Sequence, residues 1–190
     1  MSYITESGIP DIGKIPWGSH FCQMYSTRGD LAQSVIPYFM AGLINNERCI
    51  WATSEPYPAE EAAADFKKIV PGLDTMIEEG RLRICGYNEW HTRAGLGTEH
   101  WLEEEQRSLS EGYEGLRIAG NTSFVTPADW DAFMQYERDI HKRINGRRIL
   151  ALCSYNITKI EPTNAFEMVR AHQFSIRRNN GFWEVLGSDG

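Results

Sequence analysis

The chain has 190 residues, 42% of them hydrophobic, and a formal charge of −7 at pH 7. This length suits one domain with a substantial core, and the acidic balance argues against a general nucleic-acid surface, because phosphate binding requires a basic face. No apolar run approaches the roughly 20 residues of a membrane span, and the N-terminus lacks a signal-peptide pattern. We therefore expect a cytoplasmic protein that binds neither nucleic acid nor a membrane directly.

Strand-like apolar runs alternate with helical patterns along most of the chain. This alternation predicts an α/β fold, a three-layer α/β/α sandwich with a mostly parallel central sheet. Five buried strands are predicted, at residues 20–25, 48–55, 81–87, 115–125 and 147–156. The first helix is predicted over residues 30–45, with a kink at Pro37. Two strand-like arms around Asn180-Gly181 predict a C-terminal β-hairpin.

The stretch after the third predicted strand, residues 88–98, is polar, aromatic and rich in glycine. Such a composition predicts a lid or a binding loop. The helix that follows, residues 101–111, is strongly acidic, which is typical of a solvated face. Since no linker, repeat or low-complexity tract appears, we assign residues 1–19 to an N-terminal extension and residues 20–190 to one domain.

The carboxyl ends of the predicted strands carry the candidate binding site, because ligands of open parallel sheets bind there. Five aromatic residues lie at these ends together with a few hydrogen-bonding groups. Aromatic walls with sparse polar groups suit a small, largely apolar ligand. The candidate ligand-binding residues are Tyr25, Arg28, Glu55, Tyr87, Trp90, His91, Asn121, Phe124 and Tyr155.

Catalytic and metal-binding patterns are weak. The five histidines follow no metal-ligand spacing, and no nucleophile motif accompanies the one local acid/base pair, Glu89 with His91. The four cysteines lie far apart inside apolar runs, which favours small buried side chains. His20 and Cys22 share one face of the first strand, so a haem there is an alternative to core packing. We predict no catalytic residue and no metal site, and the sequence identifies no cofactor.

The turn after the first strand, Ser26 to Leu31, lies where a nucleotide-binding α/β protein has its phosphate loop. Such a loop needs glycines, a lysine for the β and γ oxygens, and a Ser or Thr for magnesium. Here one glycine, Gly29, is present, and Asp30 stands in the place of the lysine. Asp30 would repel phosphate, so we expect no Walker-type ATP/magnesium site.

Several longer runs carry a family resemblance. They are "SHFCQMYSTRGDLAQSVIPYFMAGLINNERCIWATSEP", "LRIAGNTSF", "ILALCSYN" and "VRAHQF". The chain from about His20 to its C-terminus resembles the MEDS domain, the methanogen/methylotroph DcmR-type sensory domain. More remotely, it resembles RecA/KaiC-like ATPases with a degenerate phosphate loop, in which Gly29-Asp30-Leu31 falls on the family's Gly-Lys-Thr.

The MEDS resemblance implies a sensory module that recognises small hydrocarbon derivatives and signals to a regulator. The DcmR type carries a helix-turn-helix before this domain, and the first 19 residues are too few for one. We therefore expect the signal to pass through another protein, a transcription factor or a histidine kinase. A homodimer is also compatible with such a sensor.

Three functional hypotheses follow. The leading one is a non-enzymatic sensor whose ligand orders residues 88–98. The second is a degenerate nucleotide-binding or phosphoryl-transfer enzyme, in which Arg28 partly replaces the lysine and Glu55 activates water. The third is a scaffold whose acidic helix, residues 99–111, docks a basic partner.

Overall fold

The computed structural model describes residues 3–94 and 98–187, with the backbone alone for residues 91–94. In chain order its elements are β1 (Ile4–Glu6), β2 (Lys14–Pro16), β3 (His20–Tyr25), α1 (Arg28–Ile44), β4 (Arg48–Thr53), α2 (Ala59–Lys67), α3 (Leu73–Glu78), β5 (Leu82–Gly86), α4 (Tyr87–Ala94), α5 (Glu99–Ser110), β6 (Leu116–Asn121), a 3₁₀ turn (Pro127–Asp129), α6 (Trp130–Ile144), β7 (Ile149–Asn156), α7 (Pro162–Arg170), β8 (Phe174–Asn179) and β9 (Phe182–Gly187).

The central sheet has seven strands in the order β5-β4-β6-β7-β3-β8-β9. Every neighbouring pair is parallel except β8 and β9, which form the antiparallel C-terminal hairpin. All five predicted strands are present, so the predicted fold class and the hairpin are confirmed. The carboxyl ends of the six parallel strands meet along one edge of the sheet, which is where a ligand site of this architecture forms.

Helices cover both faces of the sheet, because side chains of the buried strands alternate between two apolar cores. Helices α1, α2 and α3 pack on the first face, where Phe21, Trp51 and Leu152 lie. Helices α4 to α7 pack on the second face, around residues such as Ile118 and Cys153. The candidate site and the polar cluster described below belong to the second face.

The N-terminal segment is part of the folded body. Strands β1 and β2 form a separate antiparallel pair, and Ile15 on β2 and Ile9 between the two strands are buried in the core of the first face. Arg117, on β6, donates hydrogen bonds to the backbone carbonyls of Glu6 and Ser7. The extension is therefore held by a buried side chain of the central sheet.

The predicted loop over residues 88–98 is wrong for residues 88–94, which are helical. Helix α4 begins at Tyr87, directly after β5. Tyr87 and Trp90 lie three positions apart and hence on one helix face, and Trp90 is buried against Trp101. The polar residues between these anchors concealed the helical pattern. Elsewhere, α1 continues through Pro37 as one helix.

No helix in the described ranges, 3–94 and 98–187, combines the length and apolar character that crossing a membrane requires.

Candidate functional site

A cleft lies beside α6, with Tyr87 at the start of α4 and Glu99 at the start of α5 among its lining residues. Its volume is about 590 Å³. It lies at the carboxyl ends of β5 and β6, because Tyr87 directly follows β5 and Phe124 lies three residues beyond β6. The lining residues are Tyr87, Thr98, Glu99, Phe124, Val125, Asp129, Ala132, Phe133, Gln135, Tyr136, Asp139 and Arg143.

A smaller cavity of about 40 Å³ extends the cleft toward the sheet. Four aromatic residues line both spaces and separate them, namely Tyr87, Phe124, Phe133 and Tyr136. Beneath them the inner cavity reaches the side chains of Glu137 and Cys153. We call the two spaces together the aromatic cleft.

The aromatic side chains of the cleft hold each other in place. Tyr87 and Phe124 stack with 20° between their planes, and Phe133 meets Phe124 edge-on with ring centroids 5.7 Å apart. Trp101 donates its indole N–H to the Tyr136 hydroxyl at 2.9 Å. Burial raises the pKa of Tyr87 and of Tyr136 well above the ordinary value. Both hydroxyls are therefore neutral at physiological pH.

Four charged residues line the outer space of the aromatic cleft. Asp129, Asp139, Arg143 and Glu99 lie there. Arg143 Nη2 is 2.8 Å from Glu99 Oε1, and this ion pair links α6 to the first turn of α5. Both side chains are substantially exposed, so the pair contributes little to stability and can separate at low cost.

Four of the nine predicted site residues lie at the aromatic cleft. Tyr87 and Phe124 form its walls, and Trp90 and Asn121 line the inner cavity. The amide of Asn121 is already engaged, since it accepts from Ser54 N at 2.6 Å and donates to Ser54 O at 2.6 Å. Asn121 therefore holds the turn after β4 against β6.

The remaining predicted residues lie elsewhere. Tyr25 is buried on the first face and its hydroxyl is 2.8 Å from Ser123 Oγ, whereas Tyr155 is buried on the second face. Arg28 is paired with Glu61 and Asp65 of α2, and Glu55 is exposed after β4. His91 lies in α4, and its side chain is outside the described residues.

Strand register explains why the two tyrosines do not meet. Strands β3 and β7 are parallel neighbours in which Met24 pairs with Tyr155 and Tyr25 pairs with Asn156. Since paired residues share a face, Tyr25 and Tyr155 point to opposite faces. Reading strand ends from the sequence placed these residues at one edge of the sheet and could not give the face on which each side chain lies.

Comparison with protein families matches residues 19–173 to the model of the MEDS family, described as the MEthanogen/methylotroph, DcmR Sensory domain. The match covers most of the chain. The chain belongs to the MEDS family. A comparison with curated proteins returns no match. The matched range of the MEDS domain encloses the aromatic cleft, and it leaves out the β1–β2 pair and the β8–β9 hairpin.

The loop between β3 and α1 of this MEDS domain supplies its own anion. Thr27 is the N-cap of α1 and forms a capping box with Asp30. The Asp30 carboxylate accepts hydrogen bonds from the backbone N–H groups of Ser26 and Thr27, at 3.2 Å and 2.9 Å. Burial alone would raise the pKa of Asp30, but the bonds from Thr27 and Ser26 lower it below its usual range. The Asp30 carboxylate therefore already accepts hydrogen bonds from the backbone N–H groups that a phosphate would need.

The MEDS domain also contains a buried polar cluster that the sequence did not reveal. It consists of His20 on β3, Glu137 on α6, Cys153 on β7 and His172 after α7, all within the second face. His20 Nε2 lies 3.0 Å from Glu137 Oε2, and Cys153 Sγ lies 3.4 Å from each of these atoms. We call these four residues the His-Cys-Glu cluster.

Burial and mutual contact shift the pKa values within the His-Cys-Glu cluster. Burial, followed by the nearby His172, lowers the pKa of His20 to about 4. Burial alone would raise the pKa of Glu137, but the facing His172 and His20 rings hold it well below its usual range. The cluster therefore carries a buried carboxylate. The only sequence signal was the presence of polar residues inside otherwise apolar strands and helix faces.

Proposed function

We propose that this MEDS domain is a non-enzymatic sensor that binds a small, weakly polar organic molecule in the aromatic cleft and signals to a regulatory protein. The sensory role follows from the family. The single observation that supports the ligand class is the cleft itself, because four aromatic rings line both of its spaces at the carboxyl ends of β5 and β6. Sites of this kind bind ligands by burying apolar surface, with a few hydroxyls to orient them.

Signalling in this proposal depends on the mouth of the cleft. A ligand shifts a conformational equilibrium only as far as it binds the two states differently. The Arg143–Glu99 ion pair bridges α6 and α5 across the mouth, so a ligand that wedges these elements apart, or draws them together, changes that bridge. A change in this ion pair would move the outer surface of α5, which is acidic because Glu103 and Glu104 lie outside the core. A transcription factor or histidine kinase with a basic contact surface would read this change.

The test begins with native mass spectrometry of the purified chain, followed by thermal-shift measurements with small alcohols, amines and halogenated hydrocarbons. A ligand present at 100 times its Kd stabilises by about 2.7 kcal/mol, which raises the Tm of a domain of this size by roughly 5–11 °C. Ala132→Trp fills the cleft from an exposed position of α6, and Arg138→Trp places the same side chain outside it.

We expect a ligand-dependent rise in Tm for the native chain and for Arg138→Trp, and none for Ala132→Trp. A shift that Ala132→Trp retains would place the ligand elsewhere in the molecule. A native chain that carries no bound small molecule and responds to none of the three chemical classes would reject the proposed ligand class.

The alternative of a degenerate nucleotide-binding enzyme has less support. Asp30 already bonds the loop amides, and Arg28 is paired with Glu61 and Asp65 rather than directed at the loop. This alternative requires that magnesium-ATP raise the Tm and that phosphate be released in a manner sensitive to Arg28→Ala and Glu55→Gln. If magnesium-ATP neither raises the Tm nor releases phosphate, the nucleotide-binding alternative is rejected.

A further inference from the structure

We propose that the His-Cys-Glu cluster binds one divalent transition-metal ion, of which Zn²⁺ is the best match, at the inner end of the aromatic cleft. The proposal does not depend on the sensor function, because it rests on side chains that the cleft only borders. The four donors come from separate parts of the chain, and one ligand atom of each lies within 4.8 Å of all the others.

The spacing of the donor atoms is that of a metal shell. Bonds from Zn²⁺ are about 2.0 Å to nitrogen or oxygen and about 2.3 Å to sulfur, so the edges of a tetrahedral shell measure roughly 3.3–3.6 Å. The contacts observed here are 3.0 Å between His20 Nε2 and Glu137 Oε2 and 3.4 Å from Cys153 Sγ to each of them. These three separations lie within a few tenths of an ångström of the tetrahedral edges, and every other separation within the cluster is at most 4.8 Å.

His172 provides the independent observation. Its Nδ1 is 2.7 Å from the backbone carbonyl of Met168, and since a carbonyl only accepts, Nδ1 carries the proton. The other ring nitrogen, Nε2, is fully buried. It faces Glu137 Oε2 at 3.4 Å. Either a proton on Nε2 or a metal ion between the two atoms can balance this carboxylate, and metal-bound histidines characteristically donate their other N–H to a carbonyl, as His172 does to Met168.

Charge and surroundings fit the same ion. Glu137 contributes one negative charge, and Cys153 contributes a second when its thiol proton is released to solvent on binding, so that two neutral imidazoles and two anions balance a divalent cation. Met134 and Met168 pack around the cluster in the apolar core. A mixed nitrogen, sulfur and carboxylate set in a dry pocket suits Zn²⁺ better than the oxygen-seeking Mg²⁺ or Ca²⁺.

The location of the cluster gives the ion access to the cleft. Glu137 and Cys153 line the inner cavity, beneath the aromatic residues that separate it from the outer space. His20 and His172 lie farther from the cavity, against each other, with ring centroids 4.2 Å apart. The ion would therefore be held by the two histidines on its buried side and by the carboxylate and the thiolate on the side of the cleft.

The experiment measures metal in the purified full-length chain by elemental analysis, before and after removal with a chelator and reconstitution with Zn²⁺. We expect about one ion per chain, and a Tm that falls on removal and returns with Zn²⁺. Reconstitution with Co²⁺ tests the donor set directly, because a thiolate ligand produces a charge-transfer band that oxygen and nitrogen ligands do not.

Cys153→Ser is expected to lose the stoichiometric ion and the cobalt–thiolate band. Cys49→Ser is the matched control, because Cys49 is an equally buried free cysteine on the opposite face of the sheet. It is expected to keep both. If Cys153→Ser does not fold, the cobalt band of the native chain still decides the question.

Two results would overturn the proposal. One is a native chain that holds no stoichiometric metal as purified or after reconstitution with Zn²⁺, which would leave a proton between His172 and Glu137. The other is an ion that Cys153→Ser retains or that gives no cobalt–thiolate band, which is adventitious binding elsewhere. Neither result bears on organic ligands in the outer cleft, so a failure here is distinguishable from a failure of the sensor proposal.

Discussion

At the scale of single residues, Asp30 shows how one side chain changes what a loop can do. A loop at the start of a helix presents unpaired N–H groups, which attract anions. In this chain the anion is covalently attached, because the Asp30 carboxylate bonds Ser26 and Thr27 from the first turn of α1. The same contacts that leave no room for phosphate stabilise the helix start.

We expect Asp30→Asn to lower the free energy of unfolding by about 1 kcal/mol at pH 7, since the amide is a weaker acceptor for the two N–H groups. The folded-state pKa of Asp30 lies below its usual value of 3.8. Its stabilisation is therefore fully present above pH 3.8 and is lost as the pH falls through the folded-state pKa.

Urea unfolding between pH 3 and pH 7 measures this difference. Asp74→Asn serves as the control, because Asp74 is exposed and pairs only with Lys67 among the contacts described. A difference between the native chain and Asp30→Asn that stays constant over the whole pH range would contradict the assigned contacts.

At the scale of elements, the packing of α1 on the sheet depends on a glycine. Helix α1 passes close to β6 at Gly42, where an added Cβ would lie 2.7 Å from Arg117 Cδ and 2.8 Å from Cys49 Sγ. The Arg117 guanidinium also lies over the Tyr38 ring, 4.6 Å from its centroid. Glycine lowers the helix propensity at position 42, but its lack of a Cβ allows the close contact between α1 and the sheet.

Two glycines of α1 should respond to the same substitution with opposite signs. Gly42→Ala is expected to lower the free energy of unfolding by about 1–3 kcal/mol, because Arg117 and Cys49 must move. Gly29→Ala, in the first turn, meets only Thr27 Oγ1 at 3.6 Å and is expected to raise it by up to about 1 kcal/mol. Chemical denaturation of both variants measures the change in the free energy of unfolding. Equal changes would show that helix propensity alone determines the stability of the two variants.

At the scale of the whole molecule, one buried ion pair joins the N-terminal strands to the central sheet. Arg117 and Glu47 are both fully buried and lie 2.5 Å apart. Arg117 also donates to the carbonyls of Glu6, Ser7 and Tyr38. Three separate parts of the chain therefore bind the same group, the guanidinium of Arg117.

Arg117→Met is expected to lower the free energy of unfolding by about 3–5 kcal/mol, because it leaves the buried Glu47 carboxylate without a cation, with the Thr5 hydroxyl still donating to it. The double variant Arg117→Met with Glu47→Leu should recover part of that loss. Arg177→Met breaks an exposed pair with Glu184 and should cost less than about 1 kcal/mol.

Hydrogen exchange supplies the readout for the whole molecule. Backbone amides of β1 and β2 should exchange faster in Arg117→Met than in Arg177→Met, because their anchoring bonds are lost. Unchanged protection of these strands would mean that Ile9 and Ile15 hold the extension without help from the ion pair.

Local patterns in the sequence determined the strands, the parallel sheet and the C-terminal hairpin. Hydrophobic periodicity and turn chemistry act between residues that are close along the chain, so they can be read without the fold. The same holds for Asp30, whose partners are its immediate neighbours. The helix at residues 88–94 was not predicted from the sequence, because its buried residue Trp90 packs against Trp101, a contact that forms only in the folded chain.

Tertiary structure decided which residues share a site. Phe133 and Tyr136 have the spacing of any core-facing helix, and only the position of α6 turns them into walls of a cleft. Contacts within the His-Cys-Glu cluster join residues 16 and 133 positions apart. Such contacts depend on strand order, strand register and helix packing, which are set by the burial of surface over the whole molecule. Secondary structure could therefore be predicted from the chain, whereas the cleft and the cluster appear only once the sheet and its two helical layers are assembled.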